Sequence, residues 1–290
     1  MINAVLTKKC NYACKHCLWS CNRKGEETTE RTKHYFKRLI EKYSPDLNIL
    51  GGEISTLKGY SWTIREMLFS GNTENIRIVS NGSWIYSKAK REEFKKMLLN
   101  SLDVLKNGSV SLCVSNDSFH SEYWKKSEHI KLIKNFLFDY QEEDQENCYS
   151  DDFLADLSNF NNFYFEDENR QYNDIIGIGR ALKYSLLDYG MDNKSVSCFD
   201  GELDFLKENP SQVWYQNLTI FPNGDLSPCC QGVAIIGNIN NDNFDILEQR
   251  LLHFFTNTKN NLCFGDCKNC KKIYSKVLKE CQDINYLRAA

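Results

Sequence analysis

The chain has 290 residues, a net charge of −3 and 13 cysteines. This length is enough for a large domain and a small second one, and the charge does not favour a nucleic-acid partner. No apolar run approaches the ~20 residues of a membrane span, and the N-terminus lacks the layout of a signal peptide. We therefore expect a cytoplasmic protein without a membrane or nucleic-acid partner, in which the thiols stay reduced.

Predicted strands alternate with predicted amphipathic helices, which favours βαβ units and a mostly parallel sheet. Strands are expected at 2–7, 47–52, 76–81, 110–116, 162–167 and 174–179. Helices are expected around 32–43, 57–70, 86–104 and 125–141. The segment LTIFPNGDLSPCC, which begins at Leu218, should form a hairpin about its Pro-Asn-Gly-Asp turn. Cysteine-spaced loops and a helix around 271–287 should complete the chain.

The first chemical motif follows the first predicted strand, where Cys10, Cys14 and Cys17 stand in the run KKCNYACKHC. Thiolates hold iron–sulfur clusters, and a four-iron cluster normally takes four of them. Three local ligands would leave one iron open to a substrate or cofactor. The alternative is a zinc knuckle that also uses Cys21, although zinc motifs usually occur as two pairs within a small module.

The second motif is a set of small and polar residues at the ends of predicted strands. Gly51, Gly52 and Glu53 end the second strand, at the edge where such sheets bind ligands. Paired glycines let the backbone approach a ligand closely, and the carboxylate can pair with an ammonium group. The later strand ends carry polar groups that suit a ribose or a carboxylate, or that serve as ordinary turn residues: Ser80, Asn81, Ser115, Asp117 and Arg180.

With these motifs in this order, the chain resembles the radical SAM superfamily over most of its length. The resemblance implies that Cys10, Cys14 and Cys17 bind a 4Fe–4S cluster whose open iron is chelated by S-adenosylmethionine (AdoMet). It implies that Glu53 and the glycine turn receive the methionyl amine, and that Tyr12 approaches the adenine. AdoMet would be cleaved reductively to methionine and a 5′-deoxyadenosyl radical, with electrons from a reductant such as flavodoxin or ferredoxin.

The implied fold is α/β. A partial (β/α)6 TIM-like barrel is expected over residues 1–190, and a small C-terminal α/β auxiliary-cluster domain over residues 191–290. The later cysteines resemble those of the SPASM and twitch domains. The fifth position after Cys270 is not cysteine, which favours the twitch form with one auxiliary 4Fe–4S cluster. Its expected ligands are Cys198, Cys229, Cys267 and Cys270, with Cys263 and Cys281 as candidate substitutes and a structural zinc as the alternative.

Neighbouring side chains on a strand point to opposite faces, so Cys230 is not expected to bind the same cluster as Cys229. The chain resembles radical SAM peptide epimerases in the segments WSC, SNGSW, SNDSFH and PCC. This implies that Cys230 donates a hydrogen atom and that Asp117 and His120 are catalytic. A buried thiol and an ordinary strand-end histidine are the alternatives. Where the epimerases carry an acid, this chain has Asn217, for which Asp200 and Glu202 are candidate substitutes.

The leading hypothesis is therefore the epimerisation of a ribosomally made peptide, recognised by the barrel mouth or by a separate leader-binding protein. A twitch-type dehydrogenase of a small alcohol or cyclitol is the alternative, followed by an enzyme that forms thioether or C–C crosslinks. A different class is a non-enzymatic iron–sulfur sensor or zinc-binding interaction module, which would leave the Gly-Gly-Glu motif unexplained.

Overall fold

The structure is a computed structural model of the chain. It describes residues 1–15, 17, 19–69, 73–105, 108–116, 120, 122–124, 128–138, 163–168, 207–216, 218–228, 234–258 and 275–284. None of the described helices is both long enough and apolar enough to cross a lipid bilayer.

The described strands form one sheet in the order β5-β4-β3-β2-β1-β6-β7-β8. The strands are β1 Ile2–Thr7, β2 Leu47–Gly51, β3 Asn75–Ser80, β4 Ser109–Ser115, β5 Phe163–Glu168, β6 Leu218–Ile220, β7 Asp225–Ser227 and β8 Gly237–Asn238. All pairs from β5 to β6 are parallel, whereas β7 and β8 are antiparallel additions at one edge. The carboxyl ends of β1 to β5 consequently meet at one edge of the sheet.

Helices follow the strands as in βαβ units. The helices are α1 Glu30–Tyr43, α2 Tyr60–Phe69, α3 Lys88–Val104, α4 His129–Phe138, α5 Phe244–Thr258 and α6 Ser275–Asp283, with short 3-10 helices at Ile54–Thr56, Ser83–Tyr86 and Pro210–Tyr215. The Thr29 side chain caps α1 by accepting a hydrogen bond from the Thr32 backbone nitrogen at 3.1 Å, which favours the start of the helix there.

The two faces of the sheet differ in polarity because side chains alternate along a strand. The face that packs against the helices belongs to the hydrophobic core and is apolar: Ile2, Ala4, Leu6, Leu47, Ile49, Ile76, Ile78, Val110, Leu112 and Val114. The opposite face carries many polar side chains, among them Asn3, Asn48, Arg77 and Ser111. Parallel sheets are usually apolar on both faces, so this polar face is a candidate for binding.

The predicted strands at 2–7, 47–52, 76–81, 110–116 and 162–167 are confirmed to within a residue or two, and each of the helices predicted between 32 and 141 is present with shifted ends. The strand predicted at 174–179 lies outside the described residues. The hairpin is confirmed as β6 and β7. Because β6 pairs with β1, from Ile2↔Leu218 to Ala4↔Ile220, the hairpin extends the main sheet. The division at residue 190 stays a prediction.

One expectation for the C-terminal region was wrong. The structure has helix α5 between the hairpin and the last helix, where only loops were expected. Its buried side chains include Phe244, Leu247, Leu251 and Phe254, which recur at helical spacing and form one apolar stripe. The stripe packs in the same core as the strands β6 and β7.

Candidate functional site

The cysteine motif lies on the loop that leaves the carboxyl end of β1. Backbone bonds join the two ends of this loop, from Lys8 N to Glu26 O at 2.7 Å and from Cys10 N to Asn22 O at 2.8 Å. Cys14 is buried, whereas Cys10 and Cys17 are half-buried. The loop is therefore a compact extension of the sheet edge.

Two of the three predicted cluster ligands accept N–H hydrogen bonds at sulfur. The Tyr12 backbone nitrogen donates to Cys10 Sγ at 3.4 Å, and the Cys21 nitrogen donates to Cys17 Sγ at 3.2 Å. Such donors stabilise negative charge on sulfur, which suits thiolate ligands of a cluster. Across the described residues, no three Cys, His, Asp or Glu side chains converge on one metal position. The cluster and the zinc knuckle thus both stay predictions.

The Gly51–Glu53 turn is bonded to the start of the cysteine loop. Gly52 N donates to Thr7 O at 2.7 Å, and Glu53 N donates to Lys9 O at 2.9 Å. A side chain on Gly52 would collide with the Lys9 carbonyl, so this close approach requires glycine. The turn and the cysteine loop consequently form one backbone unit.

The Glu53 carboxylate is fully buried and joins the turn to the end of β3. It accepts hydrogen bonds from Ser55 N at 3.1 Å and Asn81 N at 2.7 Å, while Ser80 Oγ lies 3.0–3.1 Å from both of its oxygens. Ser80 and Glu53 were expected to contact the cofactor, and in the structure they bind each other. The contact of Glu53 with the AdoMet amine stays a prediction. Beside it, Ser55 Oγ is buried and has no hydrogen-bond partner.

Asn81 connects this buried network to the cysteine loop. Its Nδ2 donates to Asn11 Oδ1 at 3.1 Å and lies 3.7 Å from Cys10 Sγ. Its Oδ1 accepts from Ser83 N at 2.9 Å. The side chain is 6% exposed, so it serves as an internal link between β3 and the predicted cluster site.

Aromatic rings cover the other side of the cysteine loop. Tyr12 stacks on Tyr123 at a centroid distance of 4.7 Å, and the His120 ring lies 6.3 Å from Tyr12. Burial raises the pKa of Tyr12 above its ordinary value, so the phenol stays neutral. Tyr12 and His120, which were proposed for different roles, thus lie side by side.

Ser115, another predicted cofactor-binding residue, is half-buried at the end of β4.

His129 is a buried residue of this site that the sequence reasoning missed. Its Nε2 lies 3.2 Å from the Asn81 carbonyl oxygen, and its Nδ1 lies 2.8 Å from Tyr86 Oη. Because a carbonyl only accepts, Nε2 carries the proton and Nδ1 accepts from the tyrosine. Burial lowers the pKa of His129 to about 4. The ring is therefore neutral, and it binds the backbone of Asn81, which also binds Glu53.

The remaining predicted site residues lie outside the described residues: Asp117, Arg180, Cys198, Cys229, Cys230, Cys267 and Cys270. Cys281, a candidate substitute ligand, is described. Its thiol is buried and lies 3.4 Å from the Arg250 carbonyl oxygen, and burial raises its pKa to about 12. The role of Cys281 as a substitute ligand stays a prediction.

Comparison with known proteins adds two findings. Residues 212–271 match the family model described as SPASM, an iron–sulfur cluster-binding domain. Among solved structures, BtrN in complex with AdoMet and 2-DOIA is similar with a TM-score of 0.53 and 13% identity, over 89% of this chain and 85% of that one. No sequence among curated proteins matches.

Two further structures are less similar. BtrN in an open conformation has a TM-score of 0.48 and 15% identity over 93% of this chain and 91% of that one. Streptococcus suis SuiB bound to the precursor peptide SuiA has a TM-score of 0.36 and 15% identity over 84% and 63%. Both scores are too low to support an argument.

The conclusion rests on the AdoMet-bound BtrN structure and on the SPASM match. The chain has an α/β fold whose parallel sheet resembles a partial TIM barrel as in BtrN, followed by a SPASM-type iron–sulfur cluster-binding region.

Proposed function

We propose that the chain is a radical SAM enzyme. The observation that carries this proposal is the backbone unit at the sheet edge, in which the Gly51–Glu53 turn is bonded to Thr7 and Lys9 at the start of the cysteine loop. The SPASM-type region supports it, because that domain binds iron–sulfur clusters. The BtrN fold supports it as well, since BtrN was solved with AdoMet.

The residues at the edge fit the proposed groups. Cys10, Cys14 and Cys17 would hold the cluster, and the N–H donors on two of their sulfurs suit a thiolate. The unpartnered, buried Ser55 hydroxyl beside the glycine turn is a polar atom that a bound cofactor would satisfy. AdoMet on such a cluster supplies reductive C–S cleavage and a carbon radical that removes a hydrogen atom from the substrate. The buried Glu53 network holds the turn in place for it.

For the reaction itself we propose L-to-D epimerisation of a peptide. The support is the likeness of the SNDSFH and PCC segments to peptide epimerases, and the position of His120 beside Tyr12 at the cysteine loop. The hydrogen on the peptide α-carbon would be removed from one face, and the Cys230 S–H hydrogen would be delivered to the other. An electron from the reductant and a solvent proton would then restore the thiol.

The second candidate is oxidation of a small alcohol or cyclitol. It is favoured by the similarity to BtrN over most of both chains, because that structure contains 2-DOIA. In this reaction a hydrogen atom would leave the alcohol carbon, the auxiliary cluster would accept one electron from the resulting radical, and the hydroxyl proton would pass to solvent.

The first experiment counts iron after anaerobic reconstitution. We expect roughly eight irons per wild-type chain and roughly four in the triple variant in which Cys10, Cys14 and Cys17 are serine. Cys113→Ser is the control, since its thiol is fully buried on β4 and is not among the proposed ligands, and it should match the wild type. With dithionite the wild type should convert AdoMet to 5′-deoxyadenosine. Zinc without iron, or no cleavage of AdoMet, would overturn the proposal.

The second experiment separates the two reactions by turnover in deuterated water with candidate peptides and alcohols. Epimerisation should place a deuterium at the inverted α-carbon, and Cys230→Ala should abolish this product. Oxidation should give a product lighter by two hydrogens, with no solvent deuterium at the oxidised carbon. An unchanged product from Cys230→Ala would exclude the thiol donor.

A further inference from the structure

The loop that carries the predicted cluster ligands is rich in positive charge. Residues 8–25 contain no Asp or Glu, in a chain whose net charge is −3, and they include Lys8, Lys9, Lys15, Arg23 and Lys24. The two carboxylates that follow are already paired, since Glu26 lies 3.3 Å from the Lys8 ammonium and Glu27 lies 3.2 Å from that of Lys9. Positive charge is therefore concentrated on this loop.

Two of these cations stand at the corners of a tight turn over residues 22–25, called the cationic turn below. Gly25 N donates to Asn22 O at 3.1 Å and closes the turn, while Lys24 N donates to Asn22 Oδ1 at 2.8 Å. Asparagine side chains commonly hold turns in this way. Arg23 and Lys24 are both exposed, and neither has an ion-pair partner within the described part of the chain.

The cationic turn is bonded directly to the backbone of a predicted cluster ligand. Asn22 O accepts a hydrogen bond from Cys10 N at 2.8 Å, and Asn22 N donates to Lys8 O at 3.2 Å. A side chain on Gly25 would collide with Lys8 O, so this close packing requires glycine. Arg23 is consequently one residue away from a hydrogen bond to Cys10, and the backbone fixes its position.

The predicted cluster site is close to the protein surface at this loop. Cys10 and Cys17 are half-buried, in contrast to the buried Cys14. Reductive cleavage of AdoMet takes one electron for each molecule cleaved, and another molecule has to deliver that electron to the cluster. A donor bound at the cationic turn would contact a segment that is hydrogen-bonded to Cys10.

We propose that the cationic turn is the docking site of the electron donor, a small acidic protein that carries one electron. Arg23 and Lys24 attract carboxylates on the donor. At each encounter the donor gives one electron to the proposed cluster and leaves oxidised by one electron. Complementary charges raise the association rate and the specificity more than the affinity, which suits a donor that has to leave after each transfer. The inference rests on the proposed function and names the partner of the same site.

The first test is calorimetric titration of the reconstituted protein with an acidic flavodoxin at about 20 mM salt, where surface charges are weakly screened. One variant carries Arg23→Glu and Lys24→Glu. The control carries Lys96→Glu and Lys279→Glu, which give the same change in net charge. The control side chains are exposed on α3 and α6 and have no ion-pair partner among the described residues. The turn variant should bind flavodoxin about ten-fold more weakly than the wild type, and the control should stay within about three-fold.

The second test compares AdoMet cleavage with two reductants. With reduced flavodoxin below saturation, the turn variant should form 5′-deoxyadenosine about ten times more slowly than the wild type. With dithionite, a small reductant that needs no docking surface, the two rates should agree to within about two-fold. Iron content should also match, because the turn is held by backbone atoms and the Asn22 side chain.

Several results would overturn the proposal. Unchanged flavodoxin binding in the turn variant, or an equal loss in the control, would exclude the turn as the docking site. An equal loss of dithionite-driven cleavage would assign the two cations to the cluster itself. If a polyglutamate peptide binds the wild type as tightly as flavodoxin does, and binds the turn variant more weakly, the turn is a site for an acidic peptide instead.

Failure of this inference is distinguishable from failure of the proposed function. Formation of 5′-deoxyadenosine by the wild type with dithionite tests the enzyme class without flavodoxin. An active enzyme whose flavodoxin binding does not depend on Arg23 and Lys24 would refute the docking site alone. A protein that binds flavodoxin through the turn but cleaves no AdoMet with either reductant would refute the enzyme class.

Discussion

Substitution of the buried Glu53 carboxylate tests which contacts stabilise the sheet edge where the cofactor is predicted to bind. In Glu53→Gln, one carboxylate oxygen becomes an NH2 group. In either orientation of the amide, this NH2 group faces another N–H donor, because Ser55 N lies 3.1 Å from one oxygen and Asn81 N lies 2.7 Å from the other. One buried N–H therefore loses its acceptor, and the remaining hydrogen bonds are no longer made to a charged acceptor. Together these losses should destabilise the protein by about 3 kcal/mol.

The measurement is urea unfolding of the metal-free protein at neutral pH, followed by tryptophan fluorescence. Glu66→Gln is the matched control. Glu66 forms an exposed ion pair with Lys37 at 3.7 Å, and such pairs contribute about 0.5 kcal/mol or less. If the free energies of unfolding of the two variants agree to within about 1 kcal/mol, the assignment of Glu53 as a buried structural acceptor is refuted.

The remaining predictions concern the other residues around the end of β3. Gly82 and Gly59 both have positive φ, +72° and +67°, so alanine costs a similar backbone strain at each. At Gly82 the new methyl would lie 2.7 Å from His129 Nε2 and 2.6 Å from Ile133 Cδ1, whereas at Gly59 it would meet no atom within 4 Å. Gly82→Ala should therefore be less stable than Gly59→Ala by about 2 kcal/mol. Equal thermal midpoints of the two variants would contradict this contact. The pKa of His129 is about 4 in the folded protein and about 6.5 in an unfolded chain. Unfolding therefore takes up a proton between these values, and stability should fall by about 3 kcal/mol as the pH drops from 6.5 to 4. His129→Gln should flatten this part of the urea-midpoint profile, whereas the exposed His34→Gln should not.

The elements that the sequence predicted well are those with strong periodicity. The strands β1 to β4 are short apolar runs that end in glycine or polar residues, and these patterns survive in the fold. Helix α5 carries an equally readable stripe at Phe244, Leu247 and Leu251. It was missed because the cysteine spacing around it suggested loops, and ligand spacing says nothing about the secondary structure between ligands.

The grouping of site residues was predictable, but their partners were not. Parallel strands bring their carboxyl ends together, so Glu53, Ser80 and Asn81 had to be neighbours. Which of them form hydrogen bonds with one another depends on how far each side chain lies below the protein surface. The spacing of these residues along the chain does not determine that distance. His129 gave no signal, because a histidine at the start of an amphipathic helix has the pattern of an ordinary core residue.

Asn81 shows how these contacts position the predicted cluster loop. Its backbone N–H binds Glu53, its carbonyl accepts from His129, and its side chain binds Asn11 in the loop. Asn81 thus connects the two buried groups Glu53 and His129 to the loop that carries the cysteine motif. The backbone of the loop is also paired with Glu26 and Asn22. In the proposed enzyme, cluster binding would order side chains on a loop whose two ends are already paired, which lowers the conformational entropy that ligand binding must overcome.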